Sequence, residues 1–138
     1  MKLPALSVVW TILVVLLASS SPSSAQESAA AAACDNLATN AQSGCLEKLA
    51  NAADAKLNEV YRRAIKTIES SDPDHAAEWK TELKKAQQAW IAFRDADCGA
   101  LTAHEWSHGT GMGAATEHCI LEKTEARTRE LASRYSSR

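Results

Sequence analysis

The sequence predicts an all-helical fold, and three observations support this prediction. Apolar residues recur at steps of three and four along three separate segments, which is typical of amphipathic helices. No segment shows the alternating apolar pattern of a half-buried strand. The chain of 138 residues also holds four cysteines, an even number that is typical of a disulfide framework. We therefore expect an antiparallel helical hairpin plus a third helix, forming a small disulfide-stapled helical bundle.

The first predicted helix carries one apolar stripe of about seven turns, with the members Leu46, Leu49, Ala53, Leu57, Val60, Tyr61, Ala64, Ile65 and Ile68. The polar segment 70–73 ends this helix. It also provides the start of the next one, with Asp72 as N-cap and Pro73 at the first helical position.

The second helix shows a heptad-like seam, made of Trp79, Leu83, Ala86, Trp90 and Phe93. Gly99 is a candidate stop, and residues 100–114 are rich in glycine, so we expect a loop that holds at most a short helical turn. A third helix follows, with the stripe Leu121, Thr124, Thr128, Leu131 and Tyr135. The short link between the first two helices favours antiparallel packing, and we expect the third helix to lie across their apolar faces.

The N-terminus has the three parts of a secretory signal peptide. Lys2 is followed by an apolar run over residues 8–18 and by small residues, with Ser23 and Ala25 placed for cleavage. The run is too short to span a bilayer, although an uncleaved N-terminal anchor is the alternative. We therefore predict a cleaved signal peptide over residues 1–25, a disordered alanine-rich segment over 26–33, and one helical domain over 34–138.

All four cysteines, Cys34, Cys45, Cys98 and Cys119, lie in the part predicted to be exported. Two disulfides are expected there, and four cysteines allow three connectivities. The local pairs Cys34–Cys45 and Cys98–Cys119 are favoured, because each brackets one short segment beside a long helix. The alternatives are a tetrathiolate metal site, which has no C-x-x-C spacing to support it, and lipidation at Cys34.

The charge of the chain argues against a nucleic-acid partner. The formal charge is −2, and it becomes −3 after signal cleavage because Lys2 is the only charged residue removed. No basic patch dominates, so nucleic acid is an unsuitable partner, whereas a mildly acidic surface suits a cationic one.

Three short motifs together resemble a known family. Their residues are Asp54, Leu57, Asn58 and Tyr61; then Ala86, Gln87, Trp90, Ile91, Phe93, Arg94, Asp95, Ala96 and Cys98; then Cys119, Thr124, Arg127 and Leu131. Over roughly residues 34–133 the chain resembles the LprI-type lysozyme-inhibitor domain of bacterial exported proteins. The resemblance implies a small helical domain that is periplasmic or secreted and inhibits lysozyme. We expect no cofactor and no enzymatic activity.

Seven residues of these motifs are candidates for a buried polar network that fixes helix register: Asn58, Tyr61, Gln87, Trp90, Arg94, Asp95 and Arg127. Such networks are more often architectural than part of a binding site.

The segment from His104 to His108 matches the H-E-x-x-H zinc-protease motif. On a helix the two histidines would share a face, with Glu105 as general base. The third histidine of the longer motif is replaced by Ala114, and the motif lies between two cysteines beside three glycines. We therefore expect no metal site and no catalytic residues, with a zinc-dependent hydrolase as the alternative.

The same loop is the best candidate for protein recognition, through His104, Glu105, Trp106 and His108. Trp106 belongs to no apolar stripe and can act either as an anchor in a partner or as a lid over the core. The leading hypothesis is a binding protein that blocks a cationic cell-wall hydrolase, possible partners including lysozyme. The alternatives are the zinc hydrolase and a structural envelope protein.

Overall fold

A computed structural model describes residues 24–136, with side chains from residue 29 onward. Within this part of the chain the helices are α1 (Ser24–Cys34), α2 (Thr39–Ser71), α3 (Ala76–Ala96), α4 (Thr102–Glu105) and α5 (Met112–Arg134). A π-helical turn (Asp97–Leu101) joins α3 to α4. The described residues contain no strand, so the all-α prediction is confirmed. None of the described helices is long and apolar enough to cross a membrane.

Helix α1 corrects the prediction of a disordered segment over residues 26–33. This segment is helical up to Cys34, and Ala31 is buried against α2 and α5. Alanine has the highest helix propensity, and the Cys34–Cys45 disulfide fixes the end of α1 against α2. This helix was missed because its apolar residues are nearly all alanines in a continuous run, which shows no helical periodicity. Residues 1–23 of the predicted signal peptide lie outside the described residues, so the signal peptide stays a prediction.

Helices α2 and α5 run parallel, at a constant offset of about 70 residues. Gly113 lies against the Ser43 side chain at one end, and the Thr67 hydroxyl donates to the Tyr135 carbonyl (3.4 Å) at the other. This pair is the most closely packed in the molecule. The third predicted helix therefore lies alongside the first rather than across the hairpin.

Helix α3 is antiparallel to α2, as the short link predicted. Lys80 near the start of α3 pairs with Glu69 near the end of α2 (2.6 Å). Arg94 near the end of α3 pairs with Asp54 in the middle of α2 (2.7 Å). Helix α3 begins at Ala76, three residues later than Pro73, and Asp72 accepts a hydrogen bond from the His75 backbone N–H (3.3 Å) in the preceding turn.

The core has two parts. The first part, which we call the large-residue core, joins α2, α3 and α5 through Leu57, Val60, Ala64, Ile68, Ala76, Leu83 and Leu131. The second part, the small-residue core, joins α1, α2 and α5 through Ala31, Cys34, Leu46, Ala50, Ala114 and Leu121. Both predicted stripes, on α2 and on α5, face these cores.

The apolar seam predicted on α3 is wrong at two positions. Ala86 is exposed, and Phe93 is 55% exposed. At this level of the bundle α3 meets α2 and α5 through Trp90 and Arg94 instead. Beyond this point α3 does not stop at Gly99, because the backbone continues through the π turn into α4.

Both favoured disulfides are present, Cys34–Cys45 and Cys98–Cys119, with Cα–Cα distances of 5.8 and 5.4 Å. None of the four cysteines is free. Because every cysteine sulfur is bonded to another, the structure excludes the tetrathiolate site and lipidation at Cys34.

Candidate functional site

The centre of the bundle holds a polar network around Trp90. The Arg94 guanidinium carbon lies 5.3 Å from the centre of the indole ring, and the Arg127 guanidinium carbon lies 6.0 Å from it. Both cations lie within the range of attraction to the electron-rich faces of an aromatic ring. One half-buried tryptophan on α3 therefore contacts one arginine from its own helix and one from α5.

Arg94 links three helices. Its Nη1 donates to Asp54 Oδ1 on α2 (2.7 Å) and to the buried Thr124 hydroxyl on α5 (3.1 Å). Its Nε donates to Asp95 Oδ1 (3.0 Å). The Arg94 side chain is only 11% exposed, so these charge-assisted bonds compensate its loss of water.

Arg127 makes the second half of the network. Its Nε donates to the Gln87 carbonyl oxygen (3.1 Å), a bond between two buried side chains on α5 and α3. Its Nη1 donates to Glu130 Oε2 one turn along α5 (2.7 Å). Among the described residues, no buried side-chain nitrogen or oxygen lacks a hydrogen-bond partner.

The structure brings together five of the seven residues predicted for the network. Gln87, Trp90, Arg94, Asp95 and Arg127 are in contact with one another as described above. By contrast, Asn58 is exposed, and Tyr61 packs against the large-residue core.

Three members of the network were missed. Asp54 and Thr124 stand in the motifs that carried the family resemblance, so they could have been assigned from them, whereas the sequence gives no signal for Glu130. None of the buried polar side-chain atoms of the network lacks a hydrogen-bond partner, which favours an architectural role.

The predicted recognition loop follows α4. The backbone of Ser107 and His108 has positive φ values of 49° and 56°, which non-glycine residues adopt rarely. Backbone hydrogen bonds from His108 to the Ala103 carbonyl (2.9 Å) and from Gly109 to the Trp106 carbonyl (2.8 Å) hold this turn. The loop is therefore a closed turn with a defined path.

The H-E-x-x-H motif does not lie on one helix. Helix α4 ends at Glu105, between the two histidines, and both histidines are exposed. Their ring centres are 5.2 Å apart with one edge against the other face. Among the described residues, the one cluster of three metal-ligating types is Asp97 with Cys98 and Cys119, and these cysteines form a disulfide. This geometry does not favour the zinc hydrolase.

Trp106 is fixed on one side and open on the other. A Cβ atom at position 111 would lie 2.5 Å from Cζ3 of its indole ring, so the ring lies directly on Gly111. The residue is nevertheless 52% exposed. Of the two roles predicted for Trp106, the anchor fits this exposure better than the lid.

Trp106 stands at the edge of a cleft of about 640 Å³. The cleft lies between the start of α2, the π turn with α4, and the first half of α5. Its acidic lining residues are Asp35, Asp97, Glu105 and Glu122, and no lysine or arginine lines it. Lys123 neutralises Asp97 from outside (2.8 Å), while His118 pairs with Glu122 (3.5 Å) only when protonated.

A further carboxyl group at this end of the bundle, that of Glu117, is partly buried and interacts with the charge of Glu47. Burial, together with the charge of Glu47 on α2, raises the pKa of Glu117 on α5 above its ordinary value. Glu47 and Glu117 thus add two carboxyl groups to this end of the bundle, outside the lining of the cleft.

The fold and the site define a small disulfide-stapled helical domain with an acidic cleft. Comparison with known proteins identifies the family: residues 24–131 match the family described as lysozyme inhibitor LprI, so the chain belongs to the LprI family. The resemblance inferred from the motifs is thereby confirmed.

Two relatives are themselves uncharacterized. The chain is 37% identical over 93 residues to an uncharacterized protein of Rhizobium meliloti (strain 1021), covering 63% of this chain and 66% of that protein. It is 31% identical over 104 residues to the uncharacterized protein YecT of Escherichia coli (strain K12), covering 70% of this chain and 64% of that protein. The match thus spans just under two thirds of the length of each relative. No solved structure matches the chain.

Proposed function

We propose that this protein is an exported, non-enzymatic binding protein that inhibits a cationic cell-wall hydrolase of the lysozyme type. The observation that carries the proposal is the acidic cleft beside the half-exposed Trp106, in a chain that belongs to the LprI family. The partner-binding residues are Trp106 and Glu105, flanked by His104 and His108.

The charge of the cleft supports a basic partner. Asp35, Glu105 and Glu122 point to one concave surface, and Glu105 lies next to the aromatic anchor. A cleft lined by one sign of charge steers an oppositely charged protein during encounter and speeds association. Inhibition is therefore expected to weaken as salt concentration rises, because salt screens exposed charges.

The rigidity of the surface supports tight binding. The Cys98–Cys119 disulfide closes the segment that carries Trp106, and the turn after α4 is closed by backbone hydrogen bonds. A surface that is ordered before binding loses less conformational entropy when a partner docks. An exposed aromatic residue in such a frame has the character of a binding hot spot.

Export is supported by two features. Disulfides form and persist in oxidising compartments outside the cytoplasm, and both pairs are formed here. The predicted signal peptide over residues 1–25 is consistent with this location. We place the protein in the periplasm or outside the cell.

The test is a cell-wall lysis assay with the oxidised domain added to several lysozymes, with and without a chelator. We expect dose-dependent inhibition that the chelator does not change. Trp106→Ala should raise the inhibition constant about thirtyfold, as loss of a hot spot of roughly 2 kcal/mol does. The double variant Glu105→Gln with Glu122→Gln should weaken inhibition, mainly at low salt.

The matched control is Glu78→Gln with Glu82→Gln, two exposed carboxylates of α3 at the other end of the bundle. This control removes the same charge and should leave inhibition unchanged. If both double variants behave alike, net charge rather than the cleft determines binding. If no lysozyme is inhibited by the wild-type protein, the proposed function is wrong.

A further inference from the structure

A second exposed aromatic residue lies beside the cleft and has no role in the core. Phe93 on α3 is 55% exposed, although its place in the heptad spacing predicted burial. A single exposed apolar side chain is ordinary, but exposed apolar side chains that form one continuous surface mark interaction sites. Phe93 belongs to neither of the two hydrophobic cores of the described residues.

The Phe93 ring is held in place by a cation. The Lys123 ammonium lies 5.0 Å from the ring centre, within cation–π range, and pairs with Asp97 Oδ2 at 2.8 Å. The lysine charge is therefore satisfied on two sides. This arrangement orders Phe93 before any partner arrives, as the packing on Gly111 orders Trp106.

Phe93 is continuous with the cleft. Asp97, which contacts Lys123, lines the cleft together with Leu101, another large apolar residue that is 50% exposed. Asp97 and Leu101 are the first and last residues of the π turn, a type of helical irregularity that frequently occurs at functional sites. One path of contacts thus leads from Phe93 through Lys123 and Asp97 to Leu101 and the cleft containing Trp106.

We propose that Phe93, Leu101 and Trp106 form one docking surface, in which Phe93 is a second anchor that packs against an apolar side chain of the partner. The proposal rests on the proposed function, since its occupant is the same cationic hydrolase. The acidic cleft next to the apolar residues sets the chemistry of that occupant: an exposed apolar side chain flanked by lysine or arginine. Interfaces of this kind combine a few apolar anchors with a charged rim.

The experiment measures inhibition of a lysozyme by Phe93→Ala, with Ile91→Ala as matched control. Ile91 is also on α3 and 39% exposed, but it lies two residues away and therefore on another side of the helix. Because both side chains are exposed, neither variant should change the folded structure, which circular dichroism and the thermal midpoint will check. A Phe93→Leu variant keeps an apolar side chain at the site.

We expect Phe93→Ala to raise the inhibition constant about tenfold, Phe93→Leu to have an intermediate effect, and Ile91→Ala to stay within about twofold of wild type. If Trp106→Ala weakens inhibition and Phe93→Ala does not, the second anchor is wrong while the proposed function stands. If the wild type inhibits no lysozyme, both fail. If Phe93→Ala instead shifts the free protein from dimer to monomer in sedimentation, a second copy of this chain is the occupant and the inference is overturned.

Discussion

The two ends of the bundle are stabilised in different ways. At the end where α2 meets α3, the core contains leucine, isoleucine and valine, and Trp79, Trp90 and Tyr135 pack around it. At the end that carries the cleft, the buried core consists of three alanines, two leucines and Cys34, and the Cys34–Cys45 disulfide lies within it. The second disulfide, Cys98–Cys119, closes the segment that lines the cleft.

This difference separates stability from recognition. Large apolar side chains stabilise the first end by burial. At the cleft end, Leu101 and Trp106 are exposed instead, and α1, α2 and α5 pack together largely through small residues. The two disulfides then hold this end in a fixed arrangement, as the burial of large side chains does at the first end. The end that we propose for binding thus keeps its aromatic and apolar side chains free for a partner.

The largest effect on stability is expected from truncating the large-residue core. Leu131→Ala removes a fully buried side chain, and such changes lower the free energy of unfolding by about 2–5 kcal/mol. Leu121→Ala, in the small-residue core, should have a smaller effect. Leu121 borders a surface pocket of about 200 Å³, so water can fill the space that the substitution opens. Urea unfolding of both variants tests the order, and an equal or larger loss in Leu121→Ala would contradict it.

The next largest effect is expected from the disulfides. Replacing both Cys98 and Cys119 by serine should lower the free energy of unfolding by about 3 kcal/mol, since the bond closes a loop of 21 residues. The Cys34–Cys45 bond closes a shorter loop of 11 residues. Replacing both of these cysteines by serine should therefore lower the free energy of unfolding by roughly 0.5 kcal/mol less than the first variant does. Amide hydrogen exchange should rise around Trp106 only in the first variant. Uniformly faster exchange in both would show that the disulfides do not act on the cleft locally.

The smallest effect is on the pH dependence of stability, which we expect to have opposite signs for Glu117 at the cleft end and for Glu59 in the other half of α2. Because burial and the charge of Glu47 raise the pKa of Glu117, its ionised form destabilises the fold. Stability from this group is complete below the ordinary pKa of 4.5 and is lost as the pH rises through the raised value. Glu117→Gln should therefore stabilise the protein at pH 7, by about 0.5 kcal/mol or less, and have no effect well below the ordinary pKa.

The control for this prediction is Glu59→Gln. A hydrogen bond and the charge of Lys56 lower the pKa of Glu59, so its ionised form stabilises the fold above its ordinary pKa, and this contribution is lost as the pH falls. The control should therefore destabilise the protein slightly at pH 7. Denaturant midpoints of both variants as a function of pH decide the matter, and effects of the same sign would refute the assignment.

The fold was largely predictable because its main signals are periodic. The stripes on α2 and α5, the reversal at Asp72 and the spacing of Cys98 and Cys119 are all local features of the sequence. Helix α1 was missed because an alanine run has propensity but no stripe. Phe93 was wrongly predicted to be buried, because a heptad pattern gives only the spacing of apolar residues. It does not show that α2 and α5 present the polar side chains of Asp54 and Thr124 at this level of the bundle.

The candidate site was predictable only in part. The position of Trp106 outside every stripe marked it for recognition, and the structure leaves it half exposed. The cleft depends on Asp35, Asp97 and Glu122, which lie up to 87 positions apart in the sequence. They come together only because the start of α2, the π turn and α5 pack against one another. The H-E-x-x-H spacing would place both histidines on one face of a helix, but α4 ends at Glu105, before His108. The motif does not encode the backbone hydrogen bonds that decide where a helix ends.

The parallel pairing of α2 with α5 has a consequence for how the chain acquires its fold. Residues about 70 positions apart form the principal helix interface of the described residues, so many tertiary contacts join distant parts of the sequence. Folding rates fall as the mean sequence separation of contacts increases. The cleft forms only once α5 has packed against α2, because Glu122 on α5 is one of its lining residues. We therefore expect the cleft to form late in folding, after this distant pairing is made.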